Sequence, residues 1–162
     1  MGSDMFIRDM AGEASYFVNV KVKEAEAPKA IFPIYIPNLE NSRLNVFPIS
    51  SDTIQYPDGA DNLQIEPEVA LICDIVYEGN EVKSLLPRKF AAFNDCSIRR
   101  QGARKISEKK NWGPASKGMS SNCIPMQGLS SGDELDHYHI ASFLLRNGEC
   151  HAYGIDSPAV EY

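Results

Sequence analysis

The stretch Ile65-Glu66-Pro67-Glu68-Val69-Ala70-Leu71-Ile72 decides how this chain is read. Two glutamates stand immediately before a run of strand-forming residues. Side chains at i and i+2 of a strand point to the same face, so Glu66 and Glu68 can address one hard cation, which takes several oxygen ligands in a close shell. Pro67 between them lacks an N–H and belongs at an edge, a bulge or the first residues of a strand. Downstream come Phe93-Asn94-Asp95-Cys96-Ser97-Ile98-Arg99 and Trp112-Gly113-Pro114-Ala115-Ser116-Lys117-Gly118. They add a third carboxylate, Asp95, and one lysine, Lys117, in a Gly/Ser-rich setting. A strand end is where a metal site would stand open to a substrate.

The remaining composition narrows the function classes. A chain of 162 residues with 43% hydrophobic and 23% charged residues fits one domain with one core. A net charge of −6 argues against general nucleic-acid binding, which favours basic surfaces. No apolar run approaches the roughly 20 residues of a membrane span, and the N-terminal residues lack a signal-peptide pattern. The four cysteines, Cys73, Cys96, Cys123 and Cys150, are widely spaced without a C-x-x-C pair. That predicts reduced, mostly buried thiols and a cytoplasmic protein rather than a zinc site.

Outward from the central stretch, short strands dominate. Tyr16–Val22 alternates as a strand or irregular arm, and Glu24 and Glu26 lie on a linker or lid. Prolines hold Ile31–Pro37 to extended or edge structure. Residues 38–45 are loop-like, and Val46–Ile49 predicts a short strand. Tyr56-Pro57-Asp58-Gly59 is a turn. Val69–Tyr77 predicts the first arm of a hairpin, turning at Gly79-Asn80 and returning briefly over Glu81–Val82, with Leu85-Leu86-Pro87 ending it. From Ser97 to Lys110 the pattern turns helical, with Asp95 or Ser97 as its cap. Residues 113–134 are mostly loop. His137–Leu145 is a strand, Arg146-Asn147-Gly148-Glu149 a tight turn, and Cys150–Tyr153 the return. The fold class expected is mainly β (α+β), with one short helix after the Asn-Asp motif. Residues 1–45 form an N-terminal arm, and residues 46–162 the metal-binding β domain.

Over roughly residues 46–155 the sequence resembles the fumarylacetoacetate hydrolase superfamily. Ile54-Gln55-Tyr56-Pro57 resembles its I-x-x-P segment. Glu66-Pro67-Glu68-Val69-Ala70-Leu71 resembles E-x-E-L/V-A. Phe93–Arg99 resembles N-D-V-S-A-R, whose Asp is a metal ligand. Ser116-Lys117-Gly118 with Cys123-Ile124-Pro125 resembles K-G/S-x-D-T-x-x-P, and Arg146–Glu149 its N-G-E turn. The resemblance implies Mg²⁺ or Mn²⁺ held by Glu66, Glu68 and Asp95, a mixed β roll or sandwich, and a homodimer. It implies that Lys117 and Arg99 bind a small anionic carboxylate substrate, a 2-oxo, β-diketo or 2-hydroxydienoic acid. Lys117 holds the developing charge as the catalytic residue, and Arg99 orients the substrate or braces the ligand carboxylates. A bound cation would stabilise an enolate as a Lewis acid.

The departures steer the chemistry. Arg100 stands where the family often has Asp, Gly102 where it has Gln, and Ser121-Asn122 replaces the Asp of the lysine motif. The chain stops at Tyr162, short of the family's closing segment. All three histidines, His137, His139 and His151, lie downstream of the metal motif, so the His that activates water in hydrolytic members has no counterpart. That favours tautomerisation, decarboxylation or hydration over C–C hydrolysis. The alternatives are a non-catalytic scaffold or ligand-binding protein, and a module that engages anionic partners through a basic helix. Arg99, Arg100, Arg104, Lys105, Lys109 and Lys110 would serve that last role, or simply form a solvated face. His137 and His139 suit ligand geometry on a strand, but with no third ligand close in sequence they read first as surface or dimer contacts. His151 reads as structural, and Trp112 as a packed anchor for its turn.

Overall fold

The computed structural model describes residues 33–99 and 107–156. The architecture is mainly β, as expected. In chain order the strands are β1 (Ile49–Ser50), β2 (Leu63–Gln64), β3 (Pro67–Glu78), β4 (Glu81–Asn94) and β5 (Ser97–Ile98), then helix α1 (Ser107–Lys110). After it come β6 (Lys117–Met119), β7 (Ile124–Pro125), β8 (Ile140–Arg146) and β9 (Glu149–Asp156). The main sheet runs β1-β6-β4-β3, with β7 also on β4. It is mixed, because β1 and β6 are parallel and the other pairs antiparallel. β2 with β5, and β8 with β9, form separate two-stranded ribbons.

The β3–β4 hairpin is the scaffold, and its return is far longer than the sequence suggested. β4 runs through Leu85-Leu86-Pro87 instead of stopping there. The register explains the tolerance of Pro87, which pairs with Cys73 at a shift that leaves Arg88 as an extra residue. A bulge accepts a residue that cannot donate to the ladder. Pro67 opens β3 and is exposed, where its missing donor does no harm.

Beyond the hairpin, several local readings shift. The strand expected at Val46–Ile49 is reduced to Ile49–Ser50. Ser97 and Ile98 pair with Gln64 and Leu63 as strand, so the helical pattern yields there, and the described helix is only Ser107–Lys110. Residues 100–106 lie outside the described residues, as do Tyr16–Val22, Glu24 and Glu26. Within the stretch 113–134, β6 and β7 form short strands. His137 closes a 3-10 turn at Glu134–His137, and β8 begins only at Ile140, so His137 and His139 do not share a strand face. The tight turn falls at Asn147-Gly148, with φ of 53° and 83° at its two central residues, as a primed hairpin turn requires. Among the described residues no helix is long and apolar enough to cross a membrane.

The described core sits at the root of the β3–β4 hairpin. Phe90, Met126 and Leu135 are buried together, with Val69, Ile124 and Tyr138 packed against them. Phe90 and Tyr138 meet edge to face at 5.0 Å, a preferred geometry for aromatic pairs. A second group of buried residues, largely polar, lies at the junction of β4, β5 and β6, and it is there that the site forms.

Candidate metal centre

The site begins with backbone. The Glu66 N–H donates to the Asn94 Oδ1 at 3.0 Å, and the Asp95 N–H donates back to the Glu66 carbonyl at 3.0 Å. This reciprocal pair clamps the entry of β3 to the exit of β4. β6 is fixed in turn by the Lys117 N–H on the Pro48 carbonyl at 3.0 Å. Gly118 eases the approach of β6 to β4, since a Cβ there would meet the Asn94 Cβ at 3.3 Å, tighter than ordinary packing.

The three carboxylates predicted to converge do so. Glu66, Glu68 and Asp95 each offer an oxygen within 4.8 Å of the others'. Asp95 is fully buried and caps no helix. The remaining predicted residues join them. Lys117 is also fully buried, with its Nζ 2.7 Å from Asp95 Oδ1 and donating to the Cys96 carbonyl at 2.8 Å. Arg99 donates through Nε to Gln64 Oε1 at 2.6 Å and through a terminal nitrogen to Glu66 Oε1 at 3.3 Å. It therefore braces the Glu66 carboxylate. The Trp112 indole donates to the Gln55 carbonyl at 2.8 Å and packs over the Lys117 ammonium at 5.4 Å, confirming an anchoring part and adding a cation–π contact.

Lys110 is the residue the sequence reading misplaced. Its neighbours in the chain place it on the basic helix, as a solvated or anion-attracting side chain. Instead it is only 4% exposed, with its Nζ donating to Glu66 Oε2 at 2.8 Å and to Asp95 Oδ2 in a short contact. The signal available in the sequence was charge balance: three gathered carboxylates cannot be buried without compensating cations. Arg99, Lys110 and Lys117 supply three.

The electrostatics follow from this crowding. Burial, then the neighbouring Asp95 charge, pushes the Glu68 carboxyl up to about 8. Burial lowers the Lys117 ammonium despite its Asp95 partner. For Lys110 burial acts in the same direction, but Asp95 and Glu66 outweigh it and the ammonium is raised. Burial also lifts the Cys96 thiol to about 11, so it is no thiolate nucleophile. All four cysteines are free, but only Cys96 is buried and Cys150 is exposed, against the expectation of mostly buried thiols.

Whether the donors fit a divalent ion can be judged from unused capacity. Lys117 approaches Asp95 Oδ1 outside hydrogen-bond geometry, leaving that oxygen without a donor among the described residues. Glu68 is driven toward its neutral form by burial and then by the neighbouring Asp95 charge, and a cation would relieve the second of these. Three carboxylates at this spacing suit an oxygen-seeking ion. The one obstacle is the Lys110 ammonium, which bridges Glu66 and Asp95. A cleft of about 270 Å³ lies nearby, lined by Ser50, Thr53, Asn94, Gly118 and Ser120. It abuts the chain neighbours of Asp95 and Lys117, but its carboxylate is Asp52, and Glu66, Glu68 and Asp95 do not line it. His137 and His139 are exposed, and among the described residues neither joins a metal-ligating group. His151 lies 3.6 Å from Glu149, in an exposed pair.

A model of the family described as "Family of unknown function (DUF5718)" matches residues 13–162. No curated protein and no solved structure matches the chain.

Proposed function

Since the chain belongs to the family of unknown function DUF5718, we propose an activity from its site chemistry: a divalent-metal-dependent enzyme acting on a small 2-oxo, β-diketo or 2-hydroxydienoic acid. The observation that carries this reading is the convergence of Glu66, Glu68 and Asp95 within 4.8 Å. Mg²⁺ or Mn²⁺ would be held by these three residues, and when bound would supply Lewis-acid stabilisation to negative charge developing on the substrate. Lys117 and Arg99 act as the rigid support. Lys117 lies against Asp95 at 2.7 Å, and Arg99 donates to Glu66 at 3.3 Å. Lys110 balances the charge of Glu66 and Asp95, and its ammonium would have to give way for an ion to bind. With no histidine upstream of the carboxylates, tautomerisation, decarboxylation or hydration ranks ahead of C–C hydrolysis. In this reading the mixed sheet is a variant of the fumarylacetoacetate hydrolase roll, and the protein works in the cytoplasm.

A second reading has its own observation. Lys110 and Lys117 already neutralise Glu66 and Asp95, and Lys117 exposes no surface to a substrate. That arrangement suits a non-catalytic scaffold braced by a buried charge network. Calorimetric titration of the full chain with Mn²⁺ and Mg²⁺ separates the two. The enzyme reading expects one ion per chain, affinity lost at least tenfold in Glu68→Ala, and turnover of a member of an oxaloacetate, acylpyruvate and dienoate panel. Absence of ion binding would reject it, and binding without turnover favours the scaffold.

A further inference from the structure

Gln64 stands in line with two of the carboxylates. In the β2–β5 ribbon Gln64 pairs with Ser97, and this keeps the offset of the β3–β4 hairpin, where Pro67 pairs with Asn94. Two backbone bonds carry the same offset between the strands and past them: the Asp95 N–H donates to the Glu66 carbonyl and the Arg99 N–H to the Asn62 carbonyl, both at 3.0 Å. Alternate residues of such a run share a side. Gln64, Glu66 and Glu68 therefore form one row, and Asp95, Ser97 and Arg99 the row facing it. Arg99 is diagonal to Gln64, a separation that long side chains span.

The contacts follow this placement. Arg99 donates through Nε to Gln64 Oε1 at 2.6 Å and through a terminal nitrogen to Glu66 Oε1 at 3.3 Å. A guanidinium N–H can only donate, so the Gln64 amide must turn its oxygen toward it. The shorter of the two bonds thus goes to a neutral amide and the longer to a charged carboxylate. A guanidinium beside a carboxylate ordinarily grips both oxygens with its fork. Here Nε is taken by Gln64, and Glu66 Oε1 receives a single long contact.

We propose that Gln64 is a positioning residue of the metal centre: it holds the Arg99 guanidinium back from Glu66 and so sets how much of that carboxylate a divalent ion can claim, an assignment that rests on the metal-binding reading above. A neutral acceptor suits this part. It competes for one N–H and adds no charge to a site where three carboxylates already meet within 4.8 Å. An apolar side chain at this half-buried position would let the guanidinium close on Glu66. A carboxylate there would draw it away.

The test is calorimetric titration of the full chain with Mn²⁺, in the wild type, Gln64→Leu and Gln64→Glu, and in Gln64→Leu combined with Arg99→Lys. Gln64→Leu should weaken binding about tenfold, the ordinary cost of losing a partner that orients a metal ligand. Gln64→Glu should strengthen it at least threefold. On the Arg99→Lys background, which keeps the charge but lacks the fork, Gln64→Leu should change affinity less than twofold, because the effect runs through the guanidinium. Gln64→Glu keeps an oxygen at the same reach and decides the question even if Gln64→Leu does not fold. Without metal, the Arg99 Nε–H, identified by its loss in Arg99→Lys, should exchange slowly with solvent in NMR spectra of the wild type. Exchange as fast as that of an exposed arginine would overturn the proposal. So would weaker binding in both Gln64 variants, or a loss in Gln64→Leu that persists beside Arg99→Lys. A wild type that binds no Mn²⁺ rejects the metal-binding reading and this proposal with it, whereas Mn²⁺ binding indifferent to Gln64 rejects the proposal alone.

Discussion

Glu68 and Lys110 set the behaviour of the site at the scale of single residues. A carboxyl whose folded value lies near 8, against an ordinary 4.5, favours the folded state when protonated. Its contribution is complete below about pH 4.5 and is lost as pH rises through about 8. The metal-free protein should therefore lose thermal stability between pH 5 and pH 8.5, and Glu68→Gln should flatten that slope and exceed the wild type by roughly 5 °C at pH 8.5. Differential scanning calorimetry across that range checks both. An entering cation must expel the same proton, so ion binding at pH 7 should release about one proton, measurable by calorimetry in buffers of different ionisation enthalpy. Lys110→Met removes the ammonium that bridges Glu66 and Asp95. It should destabilise the metal-free protein by about 3–5 kcal/mol, as loss of one partner from a buried pair does, yet raise Mn²⁺ affinity tenfold or more. The carboxylates themselves were legible in the sequence, because strand alternation and the i, i+2 spacing made convergence physically simple. Lys110 was not, because a lysine among lysines carries no periodic mark, and its burial depends on charges contributed from distant strands.

At the scale of elements, the hairpins show what short-range chemistry can and cannot announce. Asn147-Gly148 declared its turn outright, since few residue pairs accept positive φ in succession. The length of β4 was hidden by Pro87, an ordinary strand terminator that a bulge makes acceptable. Ser97–Ile98 looked helical beside the following charges, but pairing with Leu63–Gln64 overrides that local preference. Gly118 lies where β6 closes on β4, so Gly118→Ala must shift Asn94 by a few tenths of an ångström. Asn94 accepts the Glu66 N–H, so the disturbance should pass to the carboxylates. The expected outcome is a stability loss of about 1–3 kcal/mol, with weaker Mn²⁺ binding than a mutation of equal cost far from β6. Denaturant titration paired with metal titration distinguishes the two.

The described residues combine a small apolar core, a buried ionic knot and two long hairpins that carry exposed apolar side chains, Ile75, Leu85, Phe143 and Leu145 among them. Such a protein should draw part of its stability from association. Its melting temperature should then rise with protein concentration, by several degrees between 2 and 200 µM, and Leu85→Glu should abolish that dependence. Differential scanning fluorimetry across the dilution series checks this.

One pairing described above governs the order of assembly. The β3–β4 hairpin joins near neighbours along the chain and carries a low entropic cost of closure, whereas Ile49 beside Lys117 in parallel register links distant parts of the polypeptide. Nucleation therefore belongs to the hairpin, and the last seam to close is the one that delivers the buried lysine to its aspartate. An ion-responsive probe should therefore respond before that seam is sewn, because Glu66, Glu68 and Asp95 all stand at the root of the hairpin itself.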